Sequence, residues 1–199
     1  MSEFTCLLGE PALSDFRKRK LIRRISDLAG AGPGLEARFV YLIESGTIPN
    51  HTEVRAMQDL LHGEAVTSLD AGDLLLVVPR MGTQSPWSTK ATDIARHCGL
   101  QNIIRIERGI AYRVPGLGIE DRSRVSQILH DRMTQSVLDS LASAYGLFQH
   151  NAARPLNIIP VSREGAAALR KADRDLGLAL SEDEIAYLVS AFGEMNRDP

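Results

Sequence analysis

The sequence predicts an α+β fold: two pseudo-symmetric halves form a mixed-sheet, two-layer domain over residues 1–150, and a short, mostly helical second domain covers 151–199. Three observations carry this. Short apolar runs rich in branched residues alternate with helical stripes. The same order of elements starts twice, at an offset of about 70 residues. The composition then changes at QHNAARP (149–155), a polar, proline-ended stretch of the kind that separates domains.

Each element has a local reason. Residues 4–8 form a short apolar run closed by Gly9, Glu10 and Pro11, which reads as a buried strand. Ser14 is an N-cap and Asp15 suits the positive end of a helix dipole; the stripe Leu21, Ile22, Ile25, Leu28 and Ala29 then runs to Gly30. The run 35–44, with Phe39, Val40, Tyr41 and Ile43, predicts a second strand, and a short helix over 52–61 completes the half. From Asp73 the order repeats: strand 74–78, a loop, helix 88–98, strand 103–114 and a helix from 123 to about 148.

Past the boundary, a strand over 156–159 leads to a helix over 163–176 that stops at Gly177, with Leu178 placed for a Schellman contact. Ser181 and Glu184 have capping-box spacing, Leu180 and Ile185 staple spacing, and Ile185, Leu188, Val189 and Phe192 make one apolar stripe. Asp198 and Pro199 read as the N-cap and first position of another helix, so a longer parent chain is expected.

The 199 residues carry 23 Lys+Arg against 25 Asp+Glu, a net charge of -2, which argues against nucleic acid or an anionic membrane as the main partner. No signal peptide opens the chain, and no apolar run reaches the roughly 18 to 20 residues that span a bilayer, so a cytoplasmic location is expected. Cys6 and Cys98 lie far apart without a CxxC or His/Cys cluster, so neither a disulfide framework nor a zinc site is expected. Cys98 falls on the stripe Ala91, Ile94, Ala95 and reads as a core thiol.

The richest stretch is PRMGTQSPWSTK, 79–90. It leaves a strand, holds Arg80 and Lys90 at its ends and delivers Ser88 or Thr89 as the N-cap of the next helix. Free amides plus two cations could bind an anion or phosphate. The alternative is a rigid loop, braced by Pro86 and Trp87, that docks on another domain; the lack of a glycine-rich cradle favours it. The glycines of GAGPG follow a helix and precede a strand, the reverse of a dinucleotide fingerprint. The run Arg17, Lys18, Arg19, Lys20, Arg23, Arg24 reads as a solvated helix face, with RNA or an acidic partner as the alternative.

In IIRIERGIAYRV, alternation puts Ile104, Ile106, Ile110, Tyr112 and Val114 on one face and Arg105, Glu107 and Arg113 on the other. Arg108 falls on the apolar face. Either Gly109 marks a bulge that turns it outward, or Arg108 reaches a partner carboxylate at an interface. No G-x-S-x-G, Walker A or HExxH motif occurs.

The stretch LLLVVPRMGTQSPWSTKATDIARHCGLQNIIRIERGIAYRV resembles the amino-terminal domain of large-type phosphoribosylformylglycinamidine synthase (FGAM synthase), above all in PR-x-GT-x-SPWS-x-KATDIA, CGL and RIERGIAY. LHDRM (129–133), LGLALSEDEIAYL (176–188) and the final NRDP continue the resemblance over essentially the whole chain. Gln84, Thr89 and Gln135 depart from the usual pattern.

The resemblance implies part of an enzyme of purine biosynthesis that amidates formylglycinamide ribonucleotide with ATP, magnesium and ammonia released from glutamine. Residues 1–150 would be the assembly domain, similar to a dimer of a small separate subunit, and 151–199 the truncated start of a linker domain. The expected partners are the synthase core and glutaminase domains of the parent chain. The segment alone is expected to be inactive, with no catalytic, cofactor or metal residues; ATP and magnesium belong to the parent. The expected docking residues are Arg80, Ser85, Trp87, Lys90, Arg105, Glu107 and Arg108. The alternative is a free-standing α+β module that binds a phosphorylated metabolite.

Overall fold

A computed structural model describes residues 3–30, 34–69, 74–149 and 155–199. The chain divides into two compact units, Met1–Asn151 and Ala152–Pro199. The residues of QHNAARP from 150 to 154, and the middle of GAGPG, lie outside the described residues.

The first unit is an α+β domain. Its strands are β1 (Glu3–Pro11), β2 (Glu36–Ser45), β3 (Glu64–Val66), β4 (Leu74–Pro79), β5 (Ile103–Arg113) and β6 (Gln135–Leu138). Its helices are α1 (Asp15–Ala29), α2 (His51–Leu61), α3 (Pro86–His97) and α4 (Ile119–Leu129), followed by a 3₁₀ helix at Ala142–Phe148. The strands form one sheet in the order β3-β1-β2-β5-β4-β6, and each pairing is antiparallel.

The twofold character predicted from element order is present in the register itself. Cys6 of β1 lies between Leu42 and Val66; Leu76 of β4 lies between Ala111 and Leu138. Exchanging β1, β2 and β3 for β4, β5 and β6 therefore returns the same sheet. At its centre Val40 faces Gly109.

All four α-helices pack on one face. Ala37, Tyr41 and Ile43 of β2 point there with Ile106 and Tyr112 of β5, and they meet Ile25 of α1, Met57 and Leu61 of α2, Ala95 of α3, and Val125 and Leu129 of α4. The opposite face carries Cys6, Val40, Leu42, Leu76, Val78 and Ala111, covered by Ala144, Leu147 and Phe148 of the 3₁₀ helix. Burial pushes the Cys6 thiol up to about 12, so it stays protonated at neutral pH.

Three local expectations are corrected. The helix expected over 123–148 ends at Leu129. There Asp131 folds a turn by accepting from the Met133 amide and the Thr134 hydroxyl, after which β6 pairs with β4 and the 3₁₀ helix follows. The helix expected from Ser88 begins at Pro86, whose fixed φ suits the first helical position, with Ser85 as its N-cap. Ser88, Thr92 and Ala95 are its buried residues; Ile94 and Cys98 are exposed, so Cys98 is not a core thiol. Thr92 faces the sheet because its hydroxyl accepts from the Ile106 amide, giving that buried donor a partner where β4 no longer pairs with β5.

The second unit holds α5 (Val161–Glu164), α6 (Ala166–Leu176) and α7 (Glu182–Glu194) around Val161, Leu169 and Ile185. No strand forms over 156–159. Instead, Ile159 donates its amide to the Pro199 carbonyl. Gly165 (φ +59) breaks the single helix expected over 163–176. The capping box of Ser181 and Glu184 is present, and Gly177 is left-handed, its amide and that of Leu178 both donating to the Asp173 carbonyl. The Asp198 carboxylate accepts from the Ser162 amide and hydroxyl, which holds it below the usual carboxylate range.

Candidate interdomain docking site

The 79–90 loop is held from beneath by a carboxylate. Glu107 of β5 points to the 3₁₀-covered face and has 0% exposure. It accepts from the Ser85 amide at 3.0 Å and from the Ser85 hydroxyl at 2.6 Å. The Ser85 hydroxyl oxygen in turn accepts from the Ser88 amide, capping α3. Arg105 neutralises Glu107 through Nε at 3.1 Å and an Nη at 2.6 Å. Two further donors go to the Thr83 carbonyl in the loop and the Leu147 carbonyl in the 3₁₀ helix, and its guanidinium lies 5.4 Å from the Phe148 ring centroid. One buried ion pair therefore ties the loop, α3, β5 and the 3₁₀ helix together.

That arrangement bears on the anion alternative at α3. Beside the helix start stands an anion, the chain's own Glu107, which takes the Ser85 amide; the Ser85 hydroxyl takes the Ser88 amide, and Pro86 has no N–H to offer. The residues present do not fit a bound nucleotide phosphate or its magnesium at this point. Among the described residues, no three His, Cys, Asp or Glu side chains gather as a metal site.

The outer side of the loop is different. Lys90 is exposed and lines a hollow with Gln84, Asp93, Arg96 and Ile104. The Arg80 amide donates to the Thr134 carbonyl, and its guanidinium makes one long contact, 3.4 Å, to the Met133 carbonyl. Trp87 lies against Tyr41 with ring centroids 5.9 Å apart. Arg108 remains on the helix face opposite Tyr41, half-buried, its guanidinium 4.6 Å from the Phe39 ring centroid and 4.7 Å from that of Trp87. Gly109 sits in regular register with Val40 and does not turn Arg108 outward. The expectation of a bulge is thus corrected: aromatic rings, which accept a cation, make the apolar face tolerable for arginine.

The expected docking residues therefore separate into two groups. Ser85, Arg105 and Glu107 brace the loop from inside; Arg80, Trp87, Lys90 and Arg108 line the hollows on its outer side. Met133 and Thr134 belong to the same place and are not among the expected docking residues; nor is Thr83, a hydroxyl residue of the loop itself. Met133 was hidden in what read as helix, and Thr83 acts through its backbone. The larger hollow of the unit, about 1140 Å³ between β1 and α2, mixes Arg38, Arg55 and two histidines with Glu10, Asp59 and Glu64. Basic residues of α1 stay solvated, with Ile25 its buried residue.

Fold and site together define a pseudo-twofold α+β domain whose buried ion pair braces a loop that carries the exposed cations Arg80 and Lys90. The pattern of the formylglycinamide ribonucleotide amidotransferase N-terminal family matches residues 38–148, from β2 through the 3₁₀ helix. The chain belongs to that family, the amino-terminal domain of the FGAM synthases of purine biosynthesis.

Proposed function

We propose that this segment is the assembly domain of an ATP- and glutamine-dependent synthase that amidates formylglycinamide ribonucleotide, and that it docks on the synthase core and helps enclose the route by which ammonia arrives from the glutaminase. It works by position. Ammonia that escapes into water is diluted and protonated, so holding two active sites in register raises productive delivery without any catalytic group on the scaffold. ATP and magnesium act elsewhere in the parent chain, in the cytoplasm.

The observation that carries this reading is a loop made rigid by a buried ion pair while Arg80, Lys90 and the neighbouring Met133 stay turned outward. A preorganised surface of Trp, Arg and Met costs little to order on contact. Ser85, Arg105 and Glu107 contribute to docking through the loop they hold. The palindromic sheet register supports descent from a dimer of a small subunit. In the full synthase, Trp87→Ala is expected to lower glutamine-dependent turnover by about tenfold, the scale of one lost interface anchor, while ammonia-dependent turnover changes little. Equal loss of both activities removes the ammonia-route part of the proposal.

A further inference from the structure

Beside the loop lies a cleft of about 510 Å³, lined by Arg80, Gln84, Trp87, Arg108, Met133 and Gln135 among others, and its lining contains no Asp or Glu. Two positive charges thus face a partly enclosed space without a counter-charge. Arg108 makes the imbalance specific. Two aromatic rings stand against its guanidinium, and no hydrogen bond or ion pair satisfies its N–H donors among the described residues. A stacked guanidinium keeps its in-plane donors for a planar oxyanion.

Arg105, on the same strand, shows how this chain treats an arginine that has a partner: bonds to Glu107 and to two carbonyls. Two acids close to the loop are committed elsewhere. Glu107 belongs to Arg105 and Ser85, and Asp131 accepts within its own turn.

We propose that the Arg108 cleft receives an aspartate or glutamate side chain presented by another domain of the parent synthase. This rests on the docking function above and specifies its chemistry. A carboxylate fits better than a free phosphate because Pro86 has no N–H and the Ser85 and Ser88 amides are already taken, so the cleft offers chiefly a flat fork of guanidinium donors. The lining supports a protein partner: it includes Met133, which is 74% exposed.

The test uses the full-length synthase carrying R108K, treated with a water-soluble carbodiimide, which joins an amine to a touching carboxylate as an amide and takes up the water released. Mass spectrometry is expected to find a crosslink from position 108 to an Asp or Glu outside residues 3–149. A crosslink only to acids within 3–149, or none, overturns the proposal. So does inorganic phosphate that raises the melting temperature of the wild type but not of R108Q, since a free anion then fills the cleft. The unaltered enzyme gives an independent reading: Arg108 is expected to resist an arginine-selective dicarbonyl, and modification at the rate of an exposed arginine contradicts the claim. If Met133 is shielded in the intact enzyme while both Arg108 results fail, docking stands and only the carboxylate is wrong.

Discussion

Glu107→Ala is expected to destabilise the first unit by about 3–5 kcal/mol, the scale of breaking a buried ion pair and leaving one charge without its partner. The variant strands Arg105 under the 3₁₀ helix and removes the acceptor of the Ser85 amide and hydroxyl, so both global stability and local order of the 79–90 loop should fall together. Denaturant unfolding measures the first, and amide exchange at Ser85 and Ser88 the second. The double variant Glu107→Ala with Arg105→Met should recover part of the loss, because the uncompensated arginine charge is removed. Unchanged stability in the single variant would mean that the ion pair does not hold this loop.

Gly109→Ala should have a comparable effect from a single methyl group. A Cβ at Gly109 would lie 2.5 Å from the Val77 carbonyl oxygen and 3.2 Å from methyl groups of Val40 and Val78. The first contact is with backbone, which cannot rotate away, so β4 must shift from β5 at the pseudo-twofold centre. Overpacking of this kind costs about 1–3 kcal/mol and more where backbone must move. Val40 and Gly109 face each other at that centre, where one carries a side chain and the other makes room for it. Thermal unfolding checks the prediction, and a melting temperature equal to the wild type would contradict the close approach.

Four of the six strands were legible because apolar runs mark them and because element order repeats; β3 was not, since EAV is too short to show a period, and neither was β6, whose four residues lie in a run that reads as helix. Alternation on β5 correctly set Ile106 and Tyr112 against Arg105 and Glu107. It could not tell that the polar side is buried as deeply as the apolar one, because the cover comes from a 3₁₀ helix more than thirty positions away, itself hidden in a helical-looking run. Arg108 looked misplaced for the same reason: Trp87 comes to it from a different element. The α3 stripe was read one position off because Ser88 and Thr92, polar by composition, point inward. Within the site, Arg80, Trp87 and Lys90 announced themselves by residue type, whereas the division of labour between bracing and presenting residues follows from tertiary contacts that no local spacing encodes.

The central claim is that the outer side of the 79–90 loop is buried by another domain in the intact synthase. Methionine oxidation by dilute peroxide reads this directly, since Met133 is 74% exposed on the segment itself and an open thioether oxidises readily. In the full-length enzyme Met133 should oxidise at least about tenfold more slowly than in the denatured chain, as a buried side chain does. Oxidation at the denatured rate, with the enzyme folded and active, would show the loop open to water and contradict the account.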